Sequence, residues 1–353
     1  MKSSSPLEPK EPVLEYVTTS APLRISFVGG GTDLPAFYEQ EAGAVLSSAI
    51  DKNIYVTVKR MGGLFDAKYR LNYSITENVN SIEEIQNHIA RECLRLVPVK
   101  PPLYIGTVAD VPASSGLGSS SCFAVALLKA LHLMRGERVS NIQLAEEACY
   151  IEINALQRPV GKQDHYAATF GGLNVFEFMV SGQVRIQPLP LSLLQISRLY
   201  EYLLLFWTNI QRDAGSVLKE QRDNTADKLT ILRAMRDQVQ ELQAQLVTDF
   251  SIEGFGRMLH QGWQMKRSLA SKITNPQIDA WYDSARQAGA YGGKLCGAGG
   301  GGFLLFVAPP ESHAQIRHHL SALKEEQIYF EPHGVRTLIQ IPRDSNEKTV
   351  FNR

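Results

Sequence analysis

The chain is predicted to form two lobes that each mix helices with strands, an α/β or α+β arrangement. Three observations predict it. At 353 residues the chain has the length of about two domains. Apolar strand-like runs and helix-period segments interleave in both halves rather than segregating. Near residues 190–205 the character changes, from short apolar elements to long charged helices.

The elements follow in order. Residues 1–19 begin MKSSSPLEPKEPVLEY, polar and proline-bearing, and read as a flexible arm with no apolar segment of a secretory signal. Apolar runs bounded by turn residues predict strands at 22–28 (PLRISFV), 53–59 (NIYVTVK), 103–108 (LYIGTV) and 172–178 (GLNVFEF). Helices are predicted at 119–134 and 141–157, each entered through Ser or Asn, both favourable N-cap residues. The run YLLLFWT at 202–208 opens the second half. Charged helix-period segments at about 214–248, 252–271 and 276–289 read as solvated faces. A strand at 303–308, a helix at 311–325 and a strand at 336–341 complete the chain. The domain reading is an arm at 1–19, a first domain at 20–200 and a second at 201–353.

Composition removes several function classes. Lys+Arg and Asp+Glu are both 36, so there is no basic excess of the kind that coats nucleic acid. Apolar content of 44% and charged content of 20% exclude a disordered, collagenous or coiled-coil chain. No apolar run approaches the roughly 18 residues of a membrane span. The four cysteines, Cys93, Cys122, Cys149 and Cys296, show no CxxC and no metal-ligand spacing. Reduced cysteines in a cytoplasmic protein are the expectation.

Glycine is the informative residue, because 15 of the 27 fall in four short patches. The strongest patch reads PASSGLGSSS, Pro112 to Ser121, and runs into the apolar segment CFAVALLKALHLM. A Gly/Ser loop entering a helix N-terminus presents unpaired backbone N–H groups and the positive end of the helix dipole, which is an anion site. No Asp or Glu occurs from Val111 to Gly136, so the place where an acid often complements the dipole is empty. The plain alternative is a Ser-capped buried helix. There is no GxxxxGK[ST] loop and no GxSxG elbow.

The patch KLCGAGGGG, Lys294 to Gly302, contains GxGxxG but is followed by a strand, so the dinucleotide fingerprint fails on context. Backbone that approaches something closely is what remains, with turn-making as the alternative. The first patch, APLRISFVGGGTD, carries Arg24 on a strand and exposes Thr32 and Asp33 after three glycines. Taken alone, Arg24 is better explained on the surface, and Asp33 equally well as a turn or cap residue. The remaining patch contains GKQD, Gly161 to Asp164. On the helix before it, Glu152 falls on the apolar face. A buried carboxylate is costly unless paired or metal-bound, so Glu152 is either a metal ligand beside the anion loop or half of a salt bridge.

These patches, in this order, resemble the GHMP kinase superfamily of sugar and mevalonate kinases. The resemblance rests on APLRISFVGGGTD, PASSGLGSSS and KLCGAGGGG, which together span most of the chain. It implies an α+β two-lobed fold: an N-terminal domain of the ribosomal protein S5 domain 2-like kind and a ferredoxin-like C-terminal domain, with ATP and substrate meeting between them. It further implies ATP binding by Pro112, Ser114, Ser115, Gly116, Leu117, Gly118, Ser119, Ser120 and Ser121. Mg²⁺ would be held by Ser120 and Glu152, and Asp164 would act as catalytic base. Arg24 occupies the place of a family arginine or lysine; it cannot be a base, so its implied role is electrostatic, toward Asp164 and the transferring group. Gly30, Gly31, Thr32 and Asp33 would bind sugar hydroxyls, and the Gly297–Gly302 backbone, with Gly299, Gly300 and Gly301 as the substrate-binding residues, would line the transferred phosphoryl and the sugar. GGGTDLPAFY, GKQD and TNIQRDAGSVLKEQ look most like the D-glycero-D-manno-heptose 7-phosphate kinase branch, with fucokinase- and galactokinase-type enzymes as the runners-up. A phosphorylated sugar needs a basic anchor, for which Lys162 and Arg212 are the candidates. A non-catalytic regulator on the same fold would show damage at the phosphate loop, Glu152 or Asp164, and a decarboxylase of the mevalonate branch would lack the sugar-like GGGTD. The expected partners are a sugar phosphate and ATP, not nucleic acid or a membrane.

Overall fold

A computed structural model describes residues 8–211 and 214–343. The first sheet is built from β1 (Leu14–Val28), β2 (Gly43–Arg60), β3 (Tyr69–Asn72), β4 (Thr76–Val79), β5 (Leu103–Ala109), β6 (Leu173–Phe178) and β7 (Val184–Pro188). The second contains β8 (Leu203–Trp207), β9 (Gly292–Leu295), β10 (Phe303–Val307) and β11 (Lys324–Glu326). The last strand, β12 (Arg336–Pro342), returns to the first sheet and pairs antiparallel with β1. The first sheet runs β12-β1-β2-β5-β3-β4; β6 also pairs with β2, and β7 with β6. The long β2 makes this possible, taking β6 along Gly43–Ser48 and β5 along Ile54–Arg60. The second sheet is antiparallel in the order β11-β8-β10-β9.

The Ser119–Met134 helix is apolar nearly all round and lies buried against β1 and β2, as such a helix must. In the second sheet, Leu205, Leu305 and Val307 face one apolar cluster while Leu204, Phe206 and Phe306 face another. Both faces are therefore covered, which is why β8 and β10 read as unbroken apolar runs rather than alternating ones. The helix Leu229–Thr248 packs against the first sheet and Ile252–Arg267 against both, and Val239, Leu242, Phe255 and Leu259 join residues of both in one continuous core. The Phe27 and Phe255 rings meet edge to face at 5.1 Å across this junction.

Several expectations are corrected. The arm assigned to 1–19 is already strand from Leu14, and Lys10 bridges to Val99. The closing strand, assigned to the second domain, lies in the first sheet. The segment 214–248 is two helices, Ala214–Asp223 and Leu229–Thr248, and 311–325 is a short helix, His313–His319, followed by β11. The cap of Ser119–Met134 is Gly118, at φ 85°, not a serine. The helix from Asn141 becomes a wider π-type turn over Tyr150–Ala155, a feature often found at functional sites.

Candidate active site

A cavity of about 460 Å³ is bounded by all four glycine patches. Arg24 and Ser26 reach it from β1, where the pairing with β2 shifts register on either side of Arg24 and re-aims the strand. The Gln163–Phe170 helix supplies Gln163 and Asp164 from its first turn. The Ser119–Met134 helix points its N-terminus into the cavity, with no acid in its first turn.

The Arg24 guanidinium grips Asp164 with two bonds, Nε to Oδ1 at 2.6 Å and Nη2 to Oδ2 at 2.7 Å. Its Nη1 donates to the Gly116 carbonyl at 2.8 Å, joining the pair to the glycine loop. Burial alone would weaken the protonated guanidinium, but the Asp164 carboxylate overcomes this and raises its pKa. A Cβ on Gly118 would lie 3.3 Å from Asp164 Oδ2, so the carboxylate rests beside the helix entrance. Two lone-pair directions of Asp164 remain for another donor.

Asp33 is buried at the cavity wall, accepting from the Gly31 N–H at 3.0 Å and the Gln163 N–H at 3.3 Å. Burial, and then the Asp164 charge, raise its pKa. Gly30, Gly31 and Asp33 line the cavity; Thr32 does not, its hydroxyl bonding to the Gly29 and Ala44 carbonyls as a structural tie. In the segment expected to bind the nucleotide, Ser114, Ser115, Gly116, Gly118, Ser119, Ser120 and Ser121 line the cavity, whereas Pro112 and Leu117 do not.

Two further placements differ from expectation. Gly299, Gly300 and Gly301 do not line the cavity. They sit against their own lobe: a Cβ on Gly299 or Gly301 would strike the Ile273 or Ile210 carbonyl, and the Gly300 N–H bonds to Ile273 O. Of the Gly297–Gly302 run, Gly297 and Ala298 reach the site. A Cβ on Gly297 would be 2.4 Å from Gly116 Cα, so the two glycine loops rest backbone on backbone. Lys162 faces away into a second cavity and gives its ammonium to the Glu146 carboxylate, at 2.9 and 3.1 Å, and to the Gly182 carbonyl at 2.7 Å. Arg212 lies outside the described residues.

Glu152 is wholly buried. It accepts from Arg158 at 2.8 Å, His165 at 2.9 Å and the hydroxyl of Ser121, not Ser120, at 2.8 Å. Burial would raise this carboxyl; the His165 bond and charge, then Arg158 and Ser121, overcome it and hold it at about 2. A divalent cation shared by Ser120 and Glu152 does not fit this arrangement, because the Arg158 guanidinium lines the cavity where Glu152 does not. Among the described residues no group of three or more His, Cys, Asp and Glu side chains could hold a metal.

Two lysines of the second lobe also line the cavity. Lys294 donates to the Ser26 and Phe27 carbonyls, at 2.6 and 2.9 Å, and is pushed well down by burial and then by the Lys266 charge. Lys266 donates to the Gly297 carbonyl, and burial pushes it down to about 8. Lys266 ends a helix that reads as a solvated face, and only its position beside the apolar stripe of Phe255, Leu259 and Trp263 signals otherwise.

Known proteins resemble the chain in sequence and in fold. The GHMP kinases N terminal domain matches residues 80–172 and the GHMP kinases C terminal domain matches 240–325. A D-glycero-alpha-D-manno-heptose 7-phosphate kinase of Campylobacter jejuni is 30% identical over 90% of this chain and 96% of its own. An L-fucokinase/L-fucose-1-P guanylyltransferase of Bacteroides fragilis is 26% identical over 87% of this chain, which spans 36% of that longer protein. Among solved structures, a D-glycero-D-manno-heptose 1-phosphate kinase from Bacteriodes thetaiotaomicron superposes with a TM-score of 0.75 at 23% identity, covering 92% of this chain and 99% of that one. A galactokinase of Lactococcus lactis in complex with galactose gives 0.73 at 16% identity, covering 92% and 96%. No helix among the described residues is long and apolar enough to cross a membrane. The chain belongs to the GHMP kinases, as an ATP-dependent phosphotransferase with an alcohol group as acceptor and with sugar kinases among its relatives.

Proposed function

We propose that the chain phosphorylates the anomeric C1 hydroxyl of D-glycero-D-manno-heptose 7-phosphate to give the 1,7-bisphosphate, a precursor of nucleotide-activated heptose for surface polysaccharide. The observation that carries the chemistry is the Arg24–Asp164 pair, fixed at the entrance of a glycine-capped helix that has no acid in its first turn. The heptose substrate is supported by the 30% identical relative, which this chain matches nearly end to end.

In this reading the backbone N–H groups of Ser114–Ser121 cradle the nucleotide phosphates. Asp33 receives sugar hydroxyls, held in place by the Gly31 and Gln163 N–H groups. The acceptor hydroxyl donates to Asp164, which takes its proton as the oxygen bonds to the γ-phosphorus and ADP departs with the electron pair of the broken bond. Arg24 orients Asp164 and cannot itself take a proton. Mg²⁺ is kept as the ion that accompanies the ATP phosphates, with no protein carboxylate assigned to it.

An ADP-release assay across heptose 7-phosphate, unphosphorylated heptose, fucose, galactose and mevalonate tests the reading. Strong preference for heptose 7-phosphate is expected, with phosphorus–C1 coupling in the product by NMR. Preference for fucose, in line with the Bacteroides fragilis relative, or for any unphosphorylated sugar, overturns the substrate and leaves the kinase.

A further inference from the structure

The transferring phosphoryl group needs a cation, and most cations of this cavity are already matched. Arg24 is neutralised by Asp164 and uses Nε, Nη1 and Nη2 on Asp164 and Gly116. Arg158 is matched by Glu152, and Lys162, outside the cavity, by Glu146. Lys294 ties the second sheet to β1 through two backbone carbonyls.

Lys266 differs. It is only 7% exposed, lines the cavity, and among the described residues has no carboxylate partner. Its ammonium donates to the Gly297 carbonyl, and Gly297 rests against Gly116 of the phosphate loop. The ammonium is thus anchored one residue away from the loop that would hold the nucleotide phosphates. A buried ammonium without a bonded counter-charge costs stability, even with the Asp33, Asp164 and Cys296 groups favouring its charge and Arg24 opposing it from a distance, and an apolar residue would complete this helix face more favourably. An anion in the cavity supplies the missing partner.

We propose that Lys266 is a catalytic residue whose ammonium donates to the non-bridging oxygens of the phosphoryl group in transit. The acceptor oxygen bonds to the γ-phosphorus, the bond to the ADP oxygen breaks, the acceptor proton passes to Asp164, and Lys266 keeps its own proton throughout. The charge that builds on the phosphoryl oxygens is met by a preorganised cation in a partly dry site. This inference rests on phosphoryl transfer taking place over Asp164, not on which sugar is the acceptor.

The test compares wild type, Lys266→Met, Lys266→Arg and Asp164→Asn with ATP and the best acceptor. Lys266→Met is expected to lower kcat by about 10²- to 10³-fold, the scale for removing one such donor. Its KM should stay within about threefold, and its melting temperature should hold or rise. A structural lysine would show the opposite pattern, a lower melting temperature with kcat kept. Wild-type kcat/KM should fall as pH rises through about 8, where the free enzyme's Lys266 loses its proton. Lys266→Arg should regain part of kcat and lose that alkaline limb; this profile decides the matter if the methionine variant does not fold. Lys266→Met within about twofold of wild-type kcat, or an alkaline limb near 8 retained by Lys266→Arg, overturns the proposal. Near-wild-type turnover by Asp164→Asn instead overturns the placement of transfer over Asp164, so the two failures are distinguishable.

Discussion

Arg24–Asp164 and Arg158–Glu152 are both arginine–carboxylate pairs on the same cavity, and they face opposite ways. In the first the arginine side chain is 4% exposed and the aspartate 24%. In the second the arginine is 37% exposed and the glutamate 0%. The partner standing outward is the one a ligand meets. Asp164 therefore offers a carboxylate to the cavity, where the proposed acceptor hydroxyl would sit, while Glu152 works inward, on His165 and Ser121, and leaves Arg158 on the cavity side. A carboxylate predicted to be buried near an anion loop can be either kind, and only the order of the two partners along the line to the cavity distinguishes them.

The largest effect expected is at the outward carboxylate. Asp164→Asn should lower kcat by about 10³-fold, within the range for removal of a positioned base, with the fold retained by circular dichroism. Unchanged turnover with unchanged fold would break the comparison at its first member.

Next comes the inward carboxylate. Glu152→Gln leaves His165 and Arg158 without their counter-charge and should cost about 3 kcal/mol of stability, read from the urea midpoint at pH 7. The kcat of the folded variant should stay within about fivefold. Glu152, lowered from an ordinary 4.5 to about 2, contributes stability that is present above pH 4.5 and lost as pH falls toward 2. For His165, burial alone would lower the imidazole, but the facing Cys149 sulfur and the Glu152 carboxylate raise it. Its contribution is present below its ordinary 6.5 and lost only as pH rises through the raised value. The acid loss between 4.5 and 2 should shrink in the glutamine variant. A kcat loss near 10³-fold with stability intact would make Glu152 a ligand-facing group and undo the contrast.

The same distinction between inward and outward limits what the sequence discloses. Local signals were legible: the Ser119–Met134 helix, the apolar runs of β8 and β10, and the glycine loop all follow from composition and spacing. So did the burial of Glu152, because its place on an apolar face is a property of one helix. What a residue meets across the chain was not legible. A glycine run shows that backbone must approach something closely, but not whether that is a ligand or, as for Gly297 on Gly116, a second glycine loop. Lys162 and Lys266 look alike in sequence, yet Glu146, sixteen residues before Lys162, pairs with one, while among the described residues no carboxylate forms an ion pair with the other. The short strands β3, β4, β7 and β9 carry too few residues for a period to emerge.

The glycine contact sharpens the comparison further. Gly297→Ala combines a left-handed φ of 70° with a Cβ 2.4 Å from Gly116 Cα. It should cost about 2 kcal/mol in stability, from strain and from pushing the two loops apart. Because the pushed loop is the one that would hold phosphates, the KM for ATP should rise in parallel. A stability loss with an unchanged KM for ATP would separate the loop contact from nucleotide binding.

The smallest effect belongs to the outward cation. Arg158 bonds to Glu152 through its side chain, and its own N–H donates to the Glu152 carbonyl at 2.9 Å, so its backbone position does not depend on its charge. Replacement by methionine keeps the aliphatic stem and removes only the guanidinium. Glu152 stays buried but retains His165 and Ser121, and the partner removed is itself 37% exposed, so the loss is held to about 1 kcal/mol. Stability should therefore fall by no more than that. The cavity, however, loses a positive charge at the wall it shares with the Ser119–Met134 helix entrance, so the KM for ATP should rise about three- to fivefold, and less at high salt. A rise in KM with little change in stability is what an outward-facing cation predicts. The reverse, a several-kcal/mol loss of stability with KM unchanged, would mean that Arg158 acts inward as Glu152 does, and that the two pairs differ in exposure without differing in role.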